Sequence, residues 1–305
     1  MNSGPLLPPK LLFTRVLRRW ALQSGNRRLR TLVRNRLRKW CVDRELVVRS
    51  RNGFRIGASP QDYASYGIYF FDEYDADMTN FLKAHIHDGC GCYDVGTDRG
   101  WFSLLMGRLV GPSGRVDAFE AYPRNYERLS ANIALNNFGW VHAYQLAVSK
   151  RTGRMHFVPP SNAVTYDVSF LETCSGVGHL VADSRPGGIE VQTVTLDQHA
   201  EEQRIDRLCF IKMDIEGAEV DALRGAEHTI KRFRPRIAVE YNRDTARRAG
   251  TSIEELDDLL DSFGYDRFTF FGRLERLNLE KWKDRSDIET VFNVYCLPRS
   301  ERGHC

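Results

Sequence analysis

The sequence predicts an α/β protein with a mostly parallel sheet that is covered by helices on both faces. Three observations lead to this fold class. Short apolar strands alternate with helical stretches from residue 91 onward, and 305 residues suffice for a domain with its own core. The composition, with 42% hydrophobic and 28% charged residues, is that of an ordinary globular protein. These properties exclude the disordered, collagen-like and coiled-coil classes.

The net charge of +4 is unevenly distributed along the chain. Residues 1–42 hold eleven Lys or Arg and no Asp or Glu, whereas the remainder carries 33 basic and 40 acidic side chains. We therefore divide the chain into a basic amphipathic arm at 1–42, a hairpin and helix lead-in at 43–88, and a main domain at 89–300. Domains that bind nucleic acid usually carry a basic surface, whereas the main domain is mildly acidic, so we expect no specific nucleic-acid partner.

Apolar residues recur at helical spacing among the arginines of the arm. In its first half they are Leu12, Phe13, Val16, Leu17, Trp20 and Ala21. Such a helix could lie on an anionic membrane surface, serve as a transit peptide, or pack its apolar stripe on the body or on a partner chain. The sequence favours the first and last interpretations over the second. We expect a cytoplasmic protein with at most peripheral membrane contact, and the sequence leaves its oligomeric state open.

The elements of the body follow from apolar runs bounded by turn residues and from apolar residues spaced three or four apart. A hairpin is predicted around Asn52-Gly53, between Leu46–Arg49 and Phe54–Ile56. Further strands are predicted at Tyr93–Val95, Val116–Phe119, Ala143–Val148, Met155–Val158, Val191–Thr195, Leu208–Met213, Arg236–Glu240, Phe268–Phe271 and Val291–Cys296. Helices are predicted at 76–87, Trp101–Leu109, Asn125–Asn136, 217–232 and Thr251–Ser262, with Thr251 and Glu254 as a capping box in the last.

A glycine-containing loop, Asp94–Gly100, follows the first strand of the alternating region. Glycine permits a tight turn and lets the backbone approach a ligand closely. The loop has Gly96 and Gly100 but lacks the middle glycine of the dinucleotide fingerprint, so a dehydrogenase is the weakest interpretation. The carboxylate of Asp94, which precedes Gly96 in this loop, would repel pyrophosphate and favours a cationic ligand.

Acidic residues also follow the later strands, at the edge of the sheet where ligands of such folds bind. Glu120 lies about 20 positions after the glycine loop, which is the spacing at which a carboxylate accepts hydrogen bonds from ribose hydroxyls. Lys212, Asp214, Glu216 and Glu219 follow another strand, and Glu240 and Asn242 the next. We interpret Asp214 as functional and Glu219 as structural, because carboxylates crowded at a strand end are costly unless solvated, paired or functional.

These stretches resemble the FkbM family of S-adenosylmethionine-dependent methyltransferases. The matching stretches are Asp94–Gly100, Ala118–Pro123, Leu129–Asn137, Val194–Asp197, Ile211–Glu219 and Gly264-Tyr265. The resemblance covers about Leu46 to Pro298. One departure is that the family commonly has Ala-Asn where this chain has Thr97-Asp98.

The resemblance implies a Rossmann-like class I methyltransferase fold, with a mostly parallel seven-stranded sheet and an antiparallel last strand, in the domain at 89–300. It implies S-adenosylmethionine as the cofactor, held by Asp94, Gly96, Thr97, Asp98 and Gly100 at its methionine end and by Glu120, with Ala121 beside it, at the ribose. Asp214, Glu216, Glu240 and Lys212 are the candidate catalytic residues. Asp214, Glu240 and Asn242 could instead gather a divalent metal, which the sequence permits but does not require.

The implied reaction is O-methylation of a hydroxyl on a small-molecule, sugar, lipid-linked or natural-product acceptor. The stretch 174–188 is the expected place for acceptor specificity, and its His179 is an alternative base. An N-methyltransferase is disfavoured because Asp214–Gly217 stands where amino-methylating enzymes often carry Asn-Pro-Pro-aromatic. A catalytically degenerate binding module that recruits partners through its basic arm is the alternative of another class.

Overall fold

The computed structural model describes residues 8–23, 40–42, 44–158, 179–181, 188–270, 273–279 and 291–299. The chain forms two compact units, one of Met1–Ala76 with Ala163–Cys174 and one of Asp77–Asn162 with Ser175–Cys305. The second half of the basic arm, at 24–39, and most of the stretch 174–188 lie outside the described residues. The predicted domain boundaries at 42 and 88 stay predictions.

The first unit contains helix α1 (Pro9–Gln23), strands β1 (Leu46–Arg49) and β2 (Arg55–Ala58), and helix α2 (Tyr63–Phe71). The strands form the predicted antiparallel hairpin, with Leu46 opposite Ala58, and Gly53 adopts the left-handed conformation in its turn. The sequence did not predict α2, because its tyrosines and phenylalanines are residues typical of strands. The helix packs against α1, and aromatic rings one turn apart are in contact, as in Tyr66 and Phe70, whose centroids are 4.7 Å apart.

Helix α1 confirms the helical pattern in the first half of the arm, but its buried face is not the predicted apolar stripe. Leu11, Thr14 and Ala21 are buried, whereas most of the stripe is exposed to solvent. Of the residues in the predicted stripe, only Ala21 is fully buried.

The strands of the second unit are β3 (Gly91–Val95), β4 (Arg115–Phe119), β5 (Val141–Tyr144), β6 (Ala147–Val148), β7 (Gly153–Val158), β8 (His179–Val181), β9 (Ile189–Val194), β10 (Phe210–Met213), β11 (Arg236–Asn242), β12 (Tyr265–Phe270), β13 (Leu274–Arg276) and β14 (Val291–Pro298). Its helices are α3 (Ala76–His85), α4 (Trp101–Val110), α5 (Pro123–Asn136), α6 (Leu196–Glu202), α7 (Glu219–Arg224), α8 (Glu227–Phe233), α9 (Arg243–Arg248) and α10 (Ile253–Ser262).

Eight of the described strands form one large sheet in the order β13-β12-β14-β11-β10-β3-β4-β5. Strands β5, β4, β3, β10 and β11 are parallel, and the last strand, β14, runs antiparallel between β11 and β12. This is the expected mostly parallel sheet with its antiparallel last strand, and β13 pairs with β12 as an eighth strand. Its central strands are apolar and buried on both faces, as in Val95, Ile211 and Val239.

A smaller sheet has the order β6-β9-β7-β8. It corrects the prediction of a single strand at Ala143–Val148, because β5 ends in the large sheet and β6 pairs with β9 in the small one. The predicted helix at 217–232 is also divided, into α7 and α8. Gly225 lies at the break, where a Cβ atom would come within 2.3 Å of the Ser149 carbonyl oxygen.

The cap of α10 differs by one residue from the prediction. Ser252, not Thr251, is the N-cap, and its hydroxyl accepts a hydrogen bond from the Glu255 amide at 3.1 Å. The sequence missed α9, a short helix whose N-terminus is capped by Asn242. None of the described helices is long and apolar enough to cross a membrane.

Candidate functional site

The candidate site residues converge because the ends of four adjacent parallel strands meet at one edge of the large sheet. In the order β4-β3-β10-β11, Asp94 lies opposite Lys212, and Met213 lies opposite Val239. Asp214 and Glu240 therefore follow at neighbouring strand ends. The carboxyl edge of the sheet is the place where open α/β folds bind their ligands.

The glycine loop is held against the end of β10. Gly96 has a φ of +77°, and a Cβ atom there would lie 1.8 Å from the Asp214 carbonyl oxygen. Gly100 has a φ of +90° at the start of α4, where a Cβ atom would meet the Leu129 side chain at 2.5 Å. At Gly96 a larger residue would push the two strand ends apart, so this glycine is required by close approach as well as by conformation, whereas Gly100 is required by its left-handed conformation.

Glu120 is clamped by backbone amides of the two loops beside it. It is 7% exposed, and its two oxygens accept hydrogen bonds from the Asp98 and Tyr122 amides, each at 2.9 Å. Burial raises the pKa of Glu120 to about 8, since it outweighs the lowering by these hydrogen bonds. Because a carboxylate oxygen has two lone pairs, each oxygen keeps one acceptor position for a ligand hydroxyl. Ala121 links Glu120 to the second amide.

Two buried polar atoms beside the glycine loop have no hydrogen-bond partner among the described residues: Oδ1 of Asp94 and Oγ1 of Thr97. The other oxygen of Asp94 accepts from the Ser103 hydroxyl at 2.5 Å. Burial raises the pKa of Asp94, although the Lys212 ammonium, 3.6 Å from Oδ1, opposes that rise. Buried polar groups are nearly always paired in folded proteins, so these two atoms indicate a place for a polar ligand.

Asp98 has a left-handed backbone, with a φ of +50°, that asparagine and aspartate tolerate better than most residues. This explains how the loop accepts aspartate where the family commonly has asparagine. The Asp98 carboxylate lies 3.2 Å from Nε of Arg99, and the Arg99 carbonyl accepts a hydrogen bond from Asn132. The second carboxylate of the loop is thus partly neutralised within the chain.

Lys212 lies buried between the glycine loop and the acidic strand end. Its ammonium donates to the Gly96 carbonyl at 3.0 Å and lies 3.6 Å from both the Asp94 and Asp214 carboxylates. Burial by itself lowers the pKa of Lys212, but the charges of Asp214, Asp94 and Glu240 more than compensate, and the pKa is raised. The lysine therefore acts as a fixed positive charge, not as a base.

Asp214, Glu216 and Glu240 form an acidic cluster, in which each residue offers an oxygen within 4.8 Å of the others. Burial, followed by the charges of Asp214 and Glu219, raises the pKa of Glu216 to about 8. Burial and the same neighbours hold the pKa of Glu240 well above its usual range. Carboxylates so close favour binding a proton or a cation between them, and oxygen atoms of this kind are also what Mg²⁺ takes as ligands.

Two further residues singled out in the sequence lie at this edge. The Asn242 amide oxygen accepts hydrogen bonds from the Asp244 and Thr245 amides at the start of α9, and its amide nitrogen donates to Glu240 at 3.4 Å, so its part in a metal site stays a prediction. Glu219 is buried and accepts from the Ile215 and Gly217 amides at 2.9 Å, which agrees with its structural interpretation.

The alternative base His179 begins β8, an edge strand of the small sheet, opposite Val158. Sequence reasoning missed Ser103, which orients Asp94, although a serine within the apolar helix Trp101–Val110 was a usable signal. It also missed the ring of Tyr122, which stacks on Phe157 with centroids 5.6 Å apart. Nothing in the spacing of these two aromatic residues relates them.

Comparison with known proteins agrees with the resemblance. A model described as the methyltransferase FkbM domain matches residues 94–267. The chain is 28% identical to methyltransferase sdnD of Sordaria araneosa over 193 residues, which are 57% of this chain and 72% of that protein. It is 28% identical to 2-O-methyltransferase NoeI of Sinorhizobium fredii over 178 residues, which are 57% of this chain and 70% of that protein.

Among solved structures, methyltransferase FkbM from Methylobacillus flagellatus matches with a TM-score of 0.40 and 15% identity. That match covers 77% of this chain, but this chain spans about half of that longer one, 52%. The matched family segment begins at Asp94 and includes Glu120, Lys212 and the acidic cluster. The residues brought together at the sheet edge are therefore those of the shared domain.

Proposed function

Because the chain belongs to the FkbM methyltransferase family, we propose that it transfers a methyl group from S-adenosylmethionine to a hydroxyl of a sugar, lipid-linked or natural-product acceptor. The observation that carries this proposal is the placement of two differently built carboxylate sites at one sheet edge. Glu120 is clamped beside the glycine loop, and the acidic cluster lies at the ends of β10 and β11. One site suits a nucleoside and the other suits a reacting hydroxyl.

The residues beside the glycine loop fit S-adenosylmethionine chemically. Glu120 keeps one acceptor position on each oxygen for the two ribose hydroxyls. Oδ1 of Asp94, which accepts no hydrogen bond among the described residues but faces Lys212 at 3.6 Å, suits the ammonium of the methionine end, and the Thr97 hydroxyl suits its carboxylate. Carboxylates on both sides of the loop also favour the positive charge of the sulfonium.

The acidic cluster would supply the base for the acceptor. When bound, S-adenosylmethionine provides a methyl group that its sulfonium already activates, so the protein must position the acceptor and receive its proton. Asp214, Glu216 or Glu240 would accept that proton as the hydroxyl oxygen bonds to the methyl carbon, while the bond from that carbon to sulfur would break and leave a neutral thioether. A carboxylate with a raised pKa is a stronger base than usual, and the value of about 8 for Glu216 lies near working pH.

Asp214 would be the central member of this cluster. It lies 3.6 Å from the Lys212 ammonium, and its charge contributes to raising the pKa of both Glu216 and Glu240. Lys212 in turn bonds the Gly96 carbonyl. It thus links the position of the base to the position of the cofactor loop.

Support for a hydroxyl acceptor comes from the name of the relative NoeI, a 2-O-methyltransferase. The acidic strand end agrees with it, because a hydroxyl needs a base when it is methylated, whereas a neutral amine carries a lone pair ready for attack.

The test is titration of the purified full chain with S-adenosylmethionine by calorimetry, with NAD as the control ligand and with Mg²⁺ present or absent. We expect saturable binding of S-adenosylmethionine and none of NAD. Transfer of labelled methyl groups to a panel of sugars, polyols and lipid-linked glycans then tests the reaction. Cofactor binding without transfer to any hydroxyl acceptor would favour the degenerate binding module, and a folded protein that binds no S-adenosylmethionine would overturn the proposal.

A further inference from the structure

Helix α1 presents two faces of opposite character. Its buried face consists of Leu11, Thr14 and Ala21, all at most 3% exposed. On the rest of the helix four large apolar side chains are exposed, with fractions of 55% for Leu12, 38% for Phe13, 59% for Val16 and 37% for Trp20. These four residues, which we call the exposed apolar face, are independent of the methyltransferase site.

The four residues form one continuous strip. A helix turns by about 100° per residue, so Leu12, Val16, Trp20 and Phe13 fall within an arc of about 100° that lies opposite the buried face. Single exposed apolar residues are common on soluble proteins, but a contiguous strip of large ones indicates a contact that the described part of the chain does not provide.

Basic residues border the strip on both sides. By the same rotation Arg15 and Arg19 lie along one edge of the strip and Lys10 lies beyond the other, and all three are exposed. Arg18 instead turns towards the buried face, over the ring of Tyr69. The helix contains no acidic residue, and neither does the rest of residues 1–42. This charge pattern disfavours a basic or neutral partner and is complementary to an anionic one.

We propose that the exposed apolar face of α1 inserts into the interface of an anionic lipid membrane. A helix of this length, about 22 Å, cannot span a bilayer, but it can lie flat with its apolar side chains among the acyl chains and its flanking cations at the headgroups. Trp20 suits that depth because indole is amphipathic and concentrates at membrane interfaces. The buried face stays packed on α2, so binding requires no unfolding of the helix.

The test is co-sedimentation of the full chain with vesicles of phosphatidylcholine alone or of phosphatidylcholine with about one third phosphatidylserine. We expect binding to the anionic vesicles that weakens as salt is added, because surface charges are screened. Replacing Leu12, Val16 and Trp20 together by serine should weaken binding at least tenfold. The pair Arg15→Gln and Arg19→Gln should weaken it about 25-fold, since each cation near such a surface contributes about fivefold.

Val47→Ser is the matched control. Val47 is another exposed apolar residue of the same unit, 58% exposed on β1, and its variant should bind like the wild type. All altered side chains are exposed, so circular dichroism and thermal unfolding should show an intact fold. The tryptophan emission of the wild type should shift to shorter wavelength on anionic vesicles, and that shift should be smaller in Trp20→Phe.

Four outcomes would overturn the proposal. The wild type could fail to sediment, or it could sediment equally with neutral vesicles. The α1 variants could bind as well as the wild type, which would assign any binding to other basic residues of the arm. Finally, the triple serine variant could convert a dimer to a monomer in sedimentation equilibrium while the wild type ignores vesicles, which would make a second copy of the chain the occupant of this face.

Discussion

Burial is the largest cause that raises the pKa of both Glu120 and Glu216 to about 8, but the groups around the two carboxyls differ. Around Glu120, burial and the charge of Asp98 act against two backbone amides that favour the charged form. Around Glu216, burial acts together with the charges of Asp214 and Glu219. The first carboxylate is held in one position by hydrogen bonds, and the second is crowded by like charges.

Within the proposed function, this difference separates binding from catalysis. A clamped carboxylate is preorganised, so it binds a ligand with little loss of side-chain freedom. A crowded group of carboxylates destabilises the folded state, and proton transfer is a function that uses the strong bases it provides. We therefore propose a binding role for the carboxylate beside the glycine loop and a chemical role for those at the ends of β10 and β11. The following experiments test this division.

The largest effect is expected at the centre of the acidic cluster. Asp214→Asn should lower turnover by about 100-fold or more while cofactor affinity changes little, because the variant loses a base or its charged partner but leaves the Glu120 clamp intact. Single-turnover methyl transfer and calorimetry measure the two quantities. The control is Asp221→Asn, because Asp221 is an aspartate of α7 that pairs with Lys150. Normal turnover in Asp214→Asn would exclude Asp214 from the chemistry.

The next effect is on cofactor affinity and its pH dependence. Glu120→Gln should weaken S-adenosylmethionine binding by about 10- to 100-fold, since hydrogen bonds to a charged acceptor are lost. The pKa of Glu120 lies near 8, so the free protein holds this group largely protonated at neutral pH. If the ribose hydroxyls bind the ionised form, wild-type affinity should rise with pH up to about 8 and then level off.

Calorimetry between pH 6 and pH 9 measures how S-adenosylmethionine affinity depends on pH. The affinity of Glu120→Gln should lack the rise that the ionisation of Glu120 causes in the wild type. An unchanged affinity in the variant would remove Glu120 from the cofactor site. A variant that binds weakly but keeps the wild-type pH profile would assign the titration to another group.

A smaller effect is expected on stability at the acidic cluster. Because the folded pKa of Glu216 exceeds its usual value of 4.5, the folded state retains a proton that the unfolded state releases, and stability falls as pH rises from about 4.5 to about 8. The Glu216→Gln variant has no carboxyl at this position to ionise, so it does not lose this stability as the pH rises. Its melting temperature should exceed that of the wild type by a few degrees at pH 8 and by less at pH 5.

Thermal unfolding measures this difference in melting temperature. EDTA is added because a bound divalent cation would offset the repulsion between the carboxylates. Glu227→Gln is the control, because Glu227 is an exposed glutamate of α8 whose pKa is lowered by a hydrogen bond from Lys231. A gain that does not grow with pH would contradict the like-charge interpretation of the cluster.

The smallest effect concerns the orientation of Asp94. Ser103→Ala removes the hydroxyl that bonds this carboxylate, and it should weaken cofactor binding only a few-fold because Lys212 still faces Asp94. Ser130→Ala on α5 removes a hydroxyl that has no hydrogen-bond partner among the described residues, and should leave affinity unchanged. A loss equal to that of Glu120→Gln would mean that Asp94 contributes more to binding than the clamp.

The sequence by itself determined the order of the strands along the chain and the residues at their ends. Apolar runs and apolar residues at every second position predict buried strands, and such strands joined by helices form a parallel sheet. The carboxyl ends of parallel strands lie at one edge of the sheet. The residues at those ends therefore had to meet there: Asp94, Glu120, Asp214 and Glu240. The glycine loop and the acidic stretch after β10 were readable for the same reason. Their roles in a reaction came from the family resemblance, because a fold by itself does not specify chemistry.

Tertiary structure decided what depends on contacts between distant residues. It formed α2 from residues typical of strands, divided the helix at Gly225, used the Asn242 oxygen as a cap, and brought Glu216 beside Asp214 and Glu240. It also turned most of the apolar stripe of α1 outward. Local pattern records only the periodicity of a segment, whereas burial, pKa and pairing depend on which remote atoms surround a group, and only the packed chain fixes those surroundings.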